Sequence, residues 1–285
     1  MANLKEIRNR IGSVNSTKQI TSAMKMVSAA KLKRAQDAIT QMRPYAEKLT
    51  EILGNLSASL DTSENVYASK RDVKKVLLIP VSSNRGLCGA FNSNVFKAAR
   101  ELADEKYASA HVEVMALGKK AGELMQKREY RVNEINVAIF DNLTYEDAGS
   151  IANRLMEAYA SGEYDEIVLV YNSFKNAASQ ILKKETFLPI EINEDASSTA
   201  DYIFEPNKEQ IVEQLIPQSL RTQLFKALLD SNASEHGARM TAMHKATDNA
   251  TELSKELKLT YNKLRQASIT NEILEIVGGA EALNG

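Results

Sequence analysis

Both ends of the chain carry a long apolar pattern with helical spacing. In the N-terminal segment, apolar residues recur mostly at steps of three and four. These residues are Leu4, Ile7, Ile11, Val14, Met24, Val27, Ala35, Ile39, Met42, Ala46, Leu49, Leu53, Leu56 and Leu60. Such spacing predicts one long helix, and from Ala35 onward it is the heptad seam of a coiled coil. Pro44 lies inside the pattern and is expected to kink the helix, because proline removes a backbone donor.

The C-terminal segment repeats this rhythm without a proline. Its apolar face consists of Met240, Met243, Ala246, Ala250, Leu253, Leu257, Thr260, Leu264, Ala267, Asn271 and Leu274. Two such stripes at opposite ends of a chain can bury each other as an antiparallel coiled coil. Leu253 is then expected to be buried, and its replacement by alanine to cost roughly 2–5 kcal/mol. The alternative, several shorter bundle helices, is left open by Pro44 and Pro217.

The middle of the chain has a different pattern. Short apolar runs at 76–79 and 167–170 are typical of buried strands, and 112–117 and 137–140 are weaker strand candidates. Helical patterns lie between them, around 93–106, 119–128 and 145–161. Alternating strands and helices predict an α/β domain with a mostly parallel, Rossmann-like sheet. The expected organisation is an N-terminal shaft helix over 1–60, the α/β domain over 61–206, and a C-terminal shaft helix over 207–285.

Composition excludes several classes of protein. The 285 residues contain five prolines and twelve glycines, which is few for this length and favours helix. Cys88 is the single cysteine, so neither an intrachain disulfide nor a cysteine-based zinc site can form. The longest apolar run, 76–81, is far shorter than the ~18 residues of a membrane span.

Charge is unevenly distributed along the chain. The total is −1, but residues 1–50 hold ten Lys/Arg against three Asp/Glu. The basic run Lys31–Arg34 could bind nucleic acid. It has no interleaved aromatic residues, which favours a solvated face or a docking surface for an acidic protein.

Catalytic motifs are missing from the sequence. It contains no GxxxxGK[ST], HExxH or GxSxG pattern. The loop Ser82–Ala90 has two glycines that could approach a phosphate, although a tight strand-to-helix turn is favoured. Cys88 is predicted to be a small buried hydrophobic residue rather than a reactive thiol. His236 and His244 stand eight residues apart, too far for one metal ion.

No catalytic, cofactor-binding or metal-binding residue is therefore predicted. A nucleotide-binding enzyme and a nucleic-acid-binding coiled coil remain as alternative classes. The segment from Ile273 to Leu283 is apolar on more than one side and needs a surrounding partner to cover it.

The C-terminal run from Ile269 to Ala282, ITNEILEIVGGAEA, resembles the signature of the F-type ATP synthase gamma subunit. That signature is Ile/Val-Thr-x-Glu, two residues, an acid, three residues and Gly-Ala, and every fixed position is met. The segments 20–27, 84–89, 246–249 and 261–263 are also similar to the family. The absence of an inserted cysteine pair, found in the chloroplast version, implies a bacterial origin.

The resemblance implies a mechanism and a set of partners. In this family the paired helices form the central shaft inside a ring of alternating alpha and beta subunits. The α/β domain contacts the epsilon subunit and the ring of c subunits. Proton flow turns ring and shaft together, and the shaft drives each catalytic beta site through its binding states. The gamma chain binds no nucleotide or nucleic acid. It is peripheral, on the cytoplasmic side of the bacterial inner membrane, and is held there through the complex.

The resemblance implies roles for individual residues only where this sequence matches the family's motifs. Arg265, Gln266, Thr270 and Glu275 correspond to positions that touch the beta subunits, with Met24 expected near the same contact on the opposing helix. The chain departs from the family at two positions: Lys25 replaces a usual acid, and Asn84 stands where aspartate is common.

Overall fold

The computed structural model describes residues 4–57, 66–69, 71–190 and 208–284. Helices and strands follow in the order α1 Leu4–Ser57, β1 Lys75–Pro80, α2 Phe91–Glu101, a π-helical turn Leu102–Lys106, β2 His111–Leu117, α3 Lys119–Gln126, β3 Arg131–Asn136, a 3-10 turn Ala138–Phe140, α4 Tyr145–Ala160, β4 Glu166–Phe174, β5 Gln180–Leu188 and α5 Lys208–Asn284. The chain divides into two compact units. We call the described residues of 28–239 the sheet unit, and those of 1–27 with 240–285 the helical unit.

The sheet unit contains five strands in the order β3-β2-β1-β4-β5. Neighbouring strands are parallel except for β5, which runs antiparallel to β4. The expected mostly parallel sheet between two long helices is confirmed. β1 lies at the centre because the chain continues from it to β2 on one side and later adds β4 on the other.

Apolar side chains cover both faces of the sheet. On β1, Leu77 and Ile79 face a core formed with α4 and the 216–228 part of α5. Val76 and Leu78 face the opposite core, formed with α2 and α3. Because successive residues of a strand point to opposite faces, a run that is apolar throughout requires a helical layer on each side.

Gly118, at the start of α3, fits a site that no other residue could occupy. Its φ is +100°, and a Cβ there would lie 2.0 Å from the carbonyl oxygen of Ser82. Since glycine has no side chain to cap the helix, the cap comes from Ser82, whose Oγ accepts the amide proton of Ala121 at 2.9 Å. The tight approach therefore joins the end of β1 to the start of α3.

Two edge strands differ from the expectation. The predicted strand at 137–140 is wrong in position: the strand is Arg131–Asn136, and Ala138–Phe140 forms a 3-10 turn. β5 was not predicted. Both strands lie at sheet edges and carry polar residues such as Asn133 and Lys184, so neither shows the continuous apolar run of a buried strand.

The helical unit is an antiparallel pair of helices. The Thr21 and Thr247 hydroxyls lie 2.8 Å apart, Ser254 Oγ donates to Asn15 Oδ1 at 3.0 Å, and the Arg8 guanidinium lies 6.0 Å from the Tyr261 ring centre. As the residue number on α1 falls, the number on α5 rises, so the predicted antiparallel pairing is present.

The buried face of this pair keeps a regular heptad phase. On α1 it consists of Leu4, Ile7, Ile11, Val14, Lys18, Thr21 and Lys25, and on α5 of Met243, Thr247, Ala250, Ser254, Leu257, Tyr261, Leu264 and Ser268. Several residues predicted on this face are instead exposed: Val27 at 58%, Leu253 at 46%, and also Thr260, Ala267, Asn271 and Leu274. Sequence hydrophobicity favoured Val27 and Leu253, whereas the seam continues through their polar neighbours. The side chains of Leu53, Leu56 and Leu60, predicted on the N-terminal face, lie outside the described part of the structure.

Neither proline ends a helix. Pro44 lies inside α1 and Pro217 inside α5, so the alternative of several shorter bundle helices is wrong for these segments. Pro44 is exposed, and buried Ala46 follows it in the same three-four phase. Within the described ranges, the helices are not long and apolar enough to cross a membrane.

Two leucines of α5 test this account of burial. Leu224 is fully buried against the sheet, whereas Leu253 is half-exposed. Leu224→Ala should lower the free energy of unfolding by about 2–5 kcal/mol, because it leaves a cavity in a close-packed core. Leu253→Ala should lower it by about 0.5 kcal/mol or less. Denaturant unfolding of the purified chains measures both, and equal losses would contradict this placement of the seam.

Candidate functional site: the loop after the first strand and the end of the last helix

The loop between β1 and α2 is held by its own side chains. Ser83 Oγ donates to the carbonyl of Arg85 at 2.6 Å. Asn92 Nδ2 lies 2.8 Å from Ser83 Oγ and 3.1 Å from Cys88 Sγ, and the Asn92 Oδ1 accepts the amide proton of Ser83 at 3.0 Å. This closed set of bonds is that of a tight strand-to-helix turn.

Arg239 of α5 fastens the same loop from outside. Its Nη2 donates to the carbonyl oxygens of Arg85 at 3.0 Å and Gly86 at 3.3 Å, and its Nη1 pairs with Glu235. Arg239 is buried, so these partners compensate a charge that would otherwise be costly. Because these side chains and carbonyls brace the loop from within the chain, the turn interpretation is favoured over phosphate binding.

Cys88 is buried in this loop against Phe91 and Ala238. Burial raises the pKa of its thiol, which disfavours the reactive thiolate. The small-hydrophobe interpretation therefore fits. The Glu235–Arg239 pair was missed by sequence reasoning, although two opposite charges four residues apart within an apolar helical stretch are a usable signal.

The two histidines considered for a metal occupy different surroundings. His236 is largely buried, and burial, together with the Arg239 and Lys31 charges, lowers its pKa to about 4. His244 is exposed, with Nδ1 3.2 Å from Asp248. Among the described residues, no group of three or more His, Cys, Asp or Glu is placed to hold a metal ion.

The basic run at 31–34 is exposed apart from Leu32. Lys33 pairs with Asp37 at 2.8 Å, one turn further along α1. Lys31 lies close enough to Glu235 and His236 to affect both pKa values. These contacts agree with a solvated, partly paired face.

The last part of α5 presents a wide apolar surface. The register of the helical unit sets Leu4 opposite Leu264, so the described part of α1 has no residue opposite the later turns of α5. All side chains from Asn271 to Ala280 are exposed, with Ile276 at 71%. At about 100° per residue, Ile273, Leu274, Ile276 and Val277 span an arc of about 160°. We call these four residues the apolar arc.

Four of the five predicted contact residues lie on the last part of α5, at or near the level of this arc. Arg265, Gln266, Thr270 and Glu275 are all exposed on α5, and Thr270 Oγ1 donates to the carbonyl of Gln266 at 2.9 Å. At about 100° per residue, Gln266 and Thr270 share the face of the arc, whereas Glu275 points away from it.

Met24 is not brought to these four residues. The register sets this half-buried side chain opposite His244, about 30 Å along α5 from Arg265 at 1.5 Å per residue. Thus the four α5 residues lie along about 15 Å of one helix, with Glu275 on the face away from the arc, and Met24 lies at another level of the pair.

The family model described as ATP synthase matches residues 3–283. The ATP synthase gamma chain of Flavobacterium johnsoniae is 65% identical, and that of Chlorobium phaeobacteroides is 48% identical, each over the full length of both chains. The chain belongs to the ATP synthase gamma chain family. These relatives are bacterial, as the sequence indicated.

Solved structures agree with this family. A chain from the central stalk and c-ring of Tetrahymena thermophila mitochondrial ATP synthase has 27% identity and a TM-score of 0.59, covering 80% of this gamma chain and 99% of its own length. A chain from the Euglena gracilis mitochondrial ATP synthase has 23% identity and a TM-score of 0.70. The match covers 98% of the chain described here and 94% of the Euglena chain, and it shows the same fold.

The buried histidine predicts an acid-sensitive fold. His236 stays neutral in the folded chain until the pH approaches 4, whereas an ordinary histidine takes up a proton near pH 6.5. Between these values the unfolded chain binds the extra proton, so stability falls as the pH is lowered. Unfolding at pH 7 and pH 5 should show that His236→Gln reduces this loss by about 1–2 kcal/mol. His244→Gln, at an exposed site, should retain the parent pH dependence; the same dependence in His236→Gln would contradict the assignment.

Proposed function

We propose that this chain is the central rotor shaft of a proton-translocating F-type ATP synthase. It would couple rotation of the membrane ring to ATP synthesis or hydrolysis at the catalytic beta subunits. The chain itself would be non-catalytic, and the assembled complex would be the enzyme. The observation that carries this proposal is the apolar arc of α5, which is exposed and has no α1 residue opposite it within the described ranges.

The chemistry of the arc suits a surface that must turn against its partner. Apolar contacts are not directional, so they can be exchanged for similar contacts as the shaft rotates. Exposed ion pairs are worth about 0–1 kcal/mol and can break and re-form. Buried pairs would resist rotation, because separating them leaves an uncompensated charge. Charged groups near the arc, such as Arg265 and Glu275, are exposed.

The partners proposed here are the alpha, beta and epsilon subunits and the ring of c subunits. The terminal segments 1–60 and 207–285 would form the shaft within the alpha–beta ring, and 61–206 would contact epsilon and the c-ring. Attachment to the bacterial inner membrane, on its cytoplasmic side, would be indirect. This proposal includes no role in binding nucleic acid.

Five residues are proposed as rotor–stator contacts. Arg265, Gln266, Thr270 and Glu275 would meet the beta subunits along one stretch of α5. Met24 would make its contact at another level of the shaft, since the register separates it from the other four.

Purification of the tagged chain from its own cells tests this function. We expect an ATP-hydrolysing assembly that contains alpha and beta subunits, and an isolated chain without ATPase activity. A lone chain that binds nucleotide would overturn the proposal and would indicate a real phosphate site in the 82–90 loop.

Arg265→Ala tests the contact role. The exposed guanidinium makes no fold-stabilising contact that its loss would break, so assembly should be retained. ATP synthesis per assembled complex should fall about threefold to tenfold, the effect of losing one hydrogen bond of about 1 kcal/mol to a partner. Lys263→Ala, at an exposed position two residues away, is the matched control and should retain synthesis. Equal loss of assembly and synthesis in Arg265→Ala would remove the contact role.

A further inference from the structure

The buried face of α1 is polar where an apolar face lies beside it. Lys18, Thr21 and Lys25 occupy successive seam positions. On the adjoining face, Ile20 is 61% exposed and Val27 is 58% exposed. Hydrophobic burial alone would roll α1 about its axis until Ile20 and Val27 faced α5. At this level of the pair, apolar burial therefore does not favour the observed roll.

Two hydrogen bonds cross the pair at this level. Thr21 Oγ1 lies 2.8 Å from Thr247 Oγ1, and Ser254 Oγ donates to Asn15 Oδ1 at 3.0 Å. Thr247 Oγ1 also donates to the carbonyl of Met243 at 2.7 Å. Thr21 Oγ1 likewise lies 3.1 Å from the carbonyl of Lys18 on its own helix. Because each hydroxyl has one proton, one threonine donates to the other, which donates in turn to a carbonyl of its own helix. Thr21 and Ser254 are buried, whereas their partners Thr247 and Asn15 are half-buried.

These bonds are directional, which apolar contacts are not. Rolling α1 by one residue, about 100°, would separate Thr21 from Thr247 and Asn15 from Ser254. Thr247 would keep its bond to the Met243 carbonyl, but Ser254 would lose Asn15 and both bonds between the helices would be lost, which is unfavourable. Polar residues at seam positions of coiled coils are known to specify how two helices meet at some cost in stability.

We infer that the Thr21–Thr247 and Asn15–Ser254 hydrogen bonds set the roll of α1 on α5 at this level, and so hold Ile20 and Val27 on its outer flank. The four hydrogen-bonding side chains are positioning residues. The effect of these four residues on coupling rests on the proposed function, because only a surrounding subunit would contact that flank. The roll itself is a property of the chain.

The test removes the hydroxyl pair in the purified full-length chain for the disulfide readout, and in the assembled complex for the coupling readout. Thr21→Ala/Thr247→Ala is combined with one of two cysteine pairs that report the roll. By the register, Lys25→Cys/Met243→Cys lie in one seam layer and should form a disulfide in the parent. Met24→Cys/Met243→Cys would do so after the roll, because a one-residue roll puts residue 24 in the place of residue 25. Loss of the hydroxyls should shift the ratio of the two disulfide yields about fivefold toward the Met24 pair.

Matched controls are available on the same helices. Thr17 and Thr260 are exposed and donate to the carbonyls four residues earlier, each at 3.0 Å. Thr17→Ala/Thr260→Ala removes two hydroxyls outside the seam and should leave the disulfide ratio unchanged. Thr21→Ser/Thr247→Ser keeps the hydroxyls and should restore the parent ratio.

A second readout separates positioning from simple stability. The ratio of ATP synthesis to ATP hydrolysis should fall severalfold in the alanine double variant and recover in the serine variant. An unchanged disulfide ratio after hydroxyl removal would overturn the inference, as would a serine variant that behaves like the alanine one. A shifted disulfide ratio with unchanged coupling would overturn the positioning role alone. Failure to find the chain in an ATPase complex would count against the proposed function instead, since the disulfide test does not depend on it.

Discussion

The apolar residues on both faces of β1 impose the layered arrangement of the sheet unit. Val76 and Leu78 need one cover, and Leu77 and Ile79 need another. The helices α2 and α3 supply the first cover soon after β1 in the chain. The second needs the 216–228 part of α5, which comes much later in the sequence. The sheet therefore cannot complete its core until the last helix is in place, and α5 is part of this fold rather than an appendage to it.

Much of this fold could be predicted, because burial on both faces leaves a clear trace in sequence. The apolar runs of β1 and β4 and the helical spacing at both chain ends indicated the architecture. Edge strands have a weaker apolar pattern. β5, with Lys183, Lys184 and Glu185, is solvated on part of its surface and lacks a continuous apolar run. Its pairing with β4 is decided by backbone hydrogen bonds, which a hydrophobic pattern does not report.

The candidate site was predictable only in part. The arc at the end of α5 follows directly from apolar residues with no counterpart on α1. Leu253 and Val27 were misplaced because hydrophobicity was the only criterion, whereas the pair is aligned by hydroxyl and amide groups. Arg239 was missed for a different reason. Its partners are backbone carbonyls of the 82–90 loop, and carbonyls are present in every loop whatever its sequence.

Gly118 limits how this chain can change. Since the space beside its α-carbon is filled by the Ser82 carbonyl, every missense change at that codon adds an atom where none fits. Relief would require the end of β1 to move, and the Ser82 hydroxyl that caps α3 would move with it. In a library of random variants, position 118 should thus be represented by the parental residue alone, even though it lies far along the chain from the contact residues of α5.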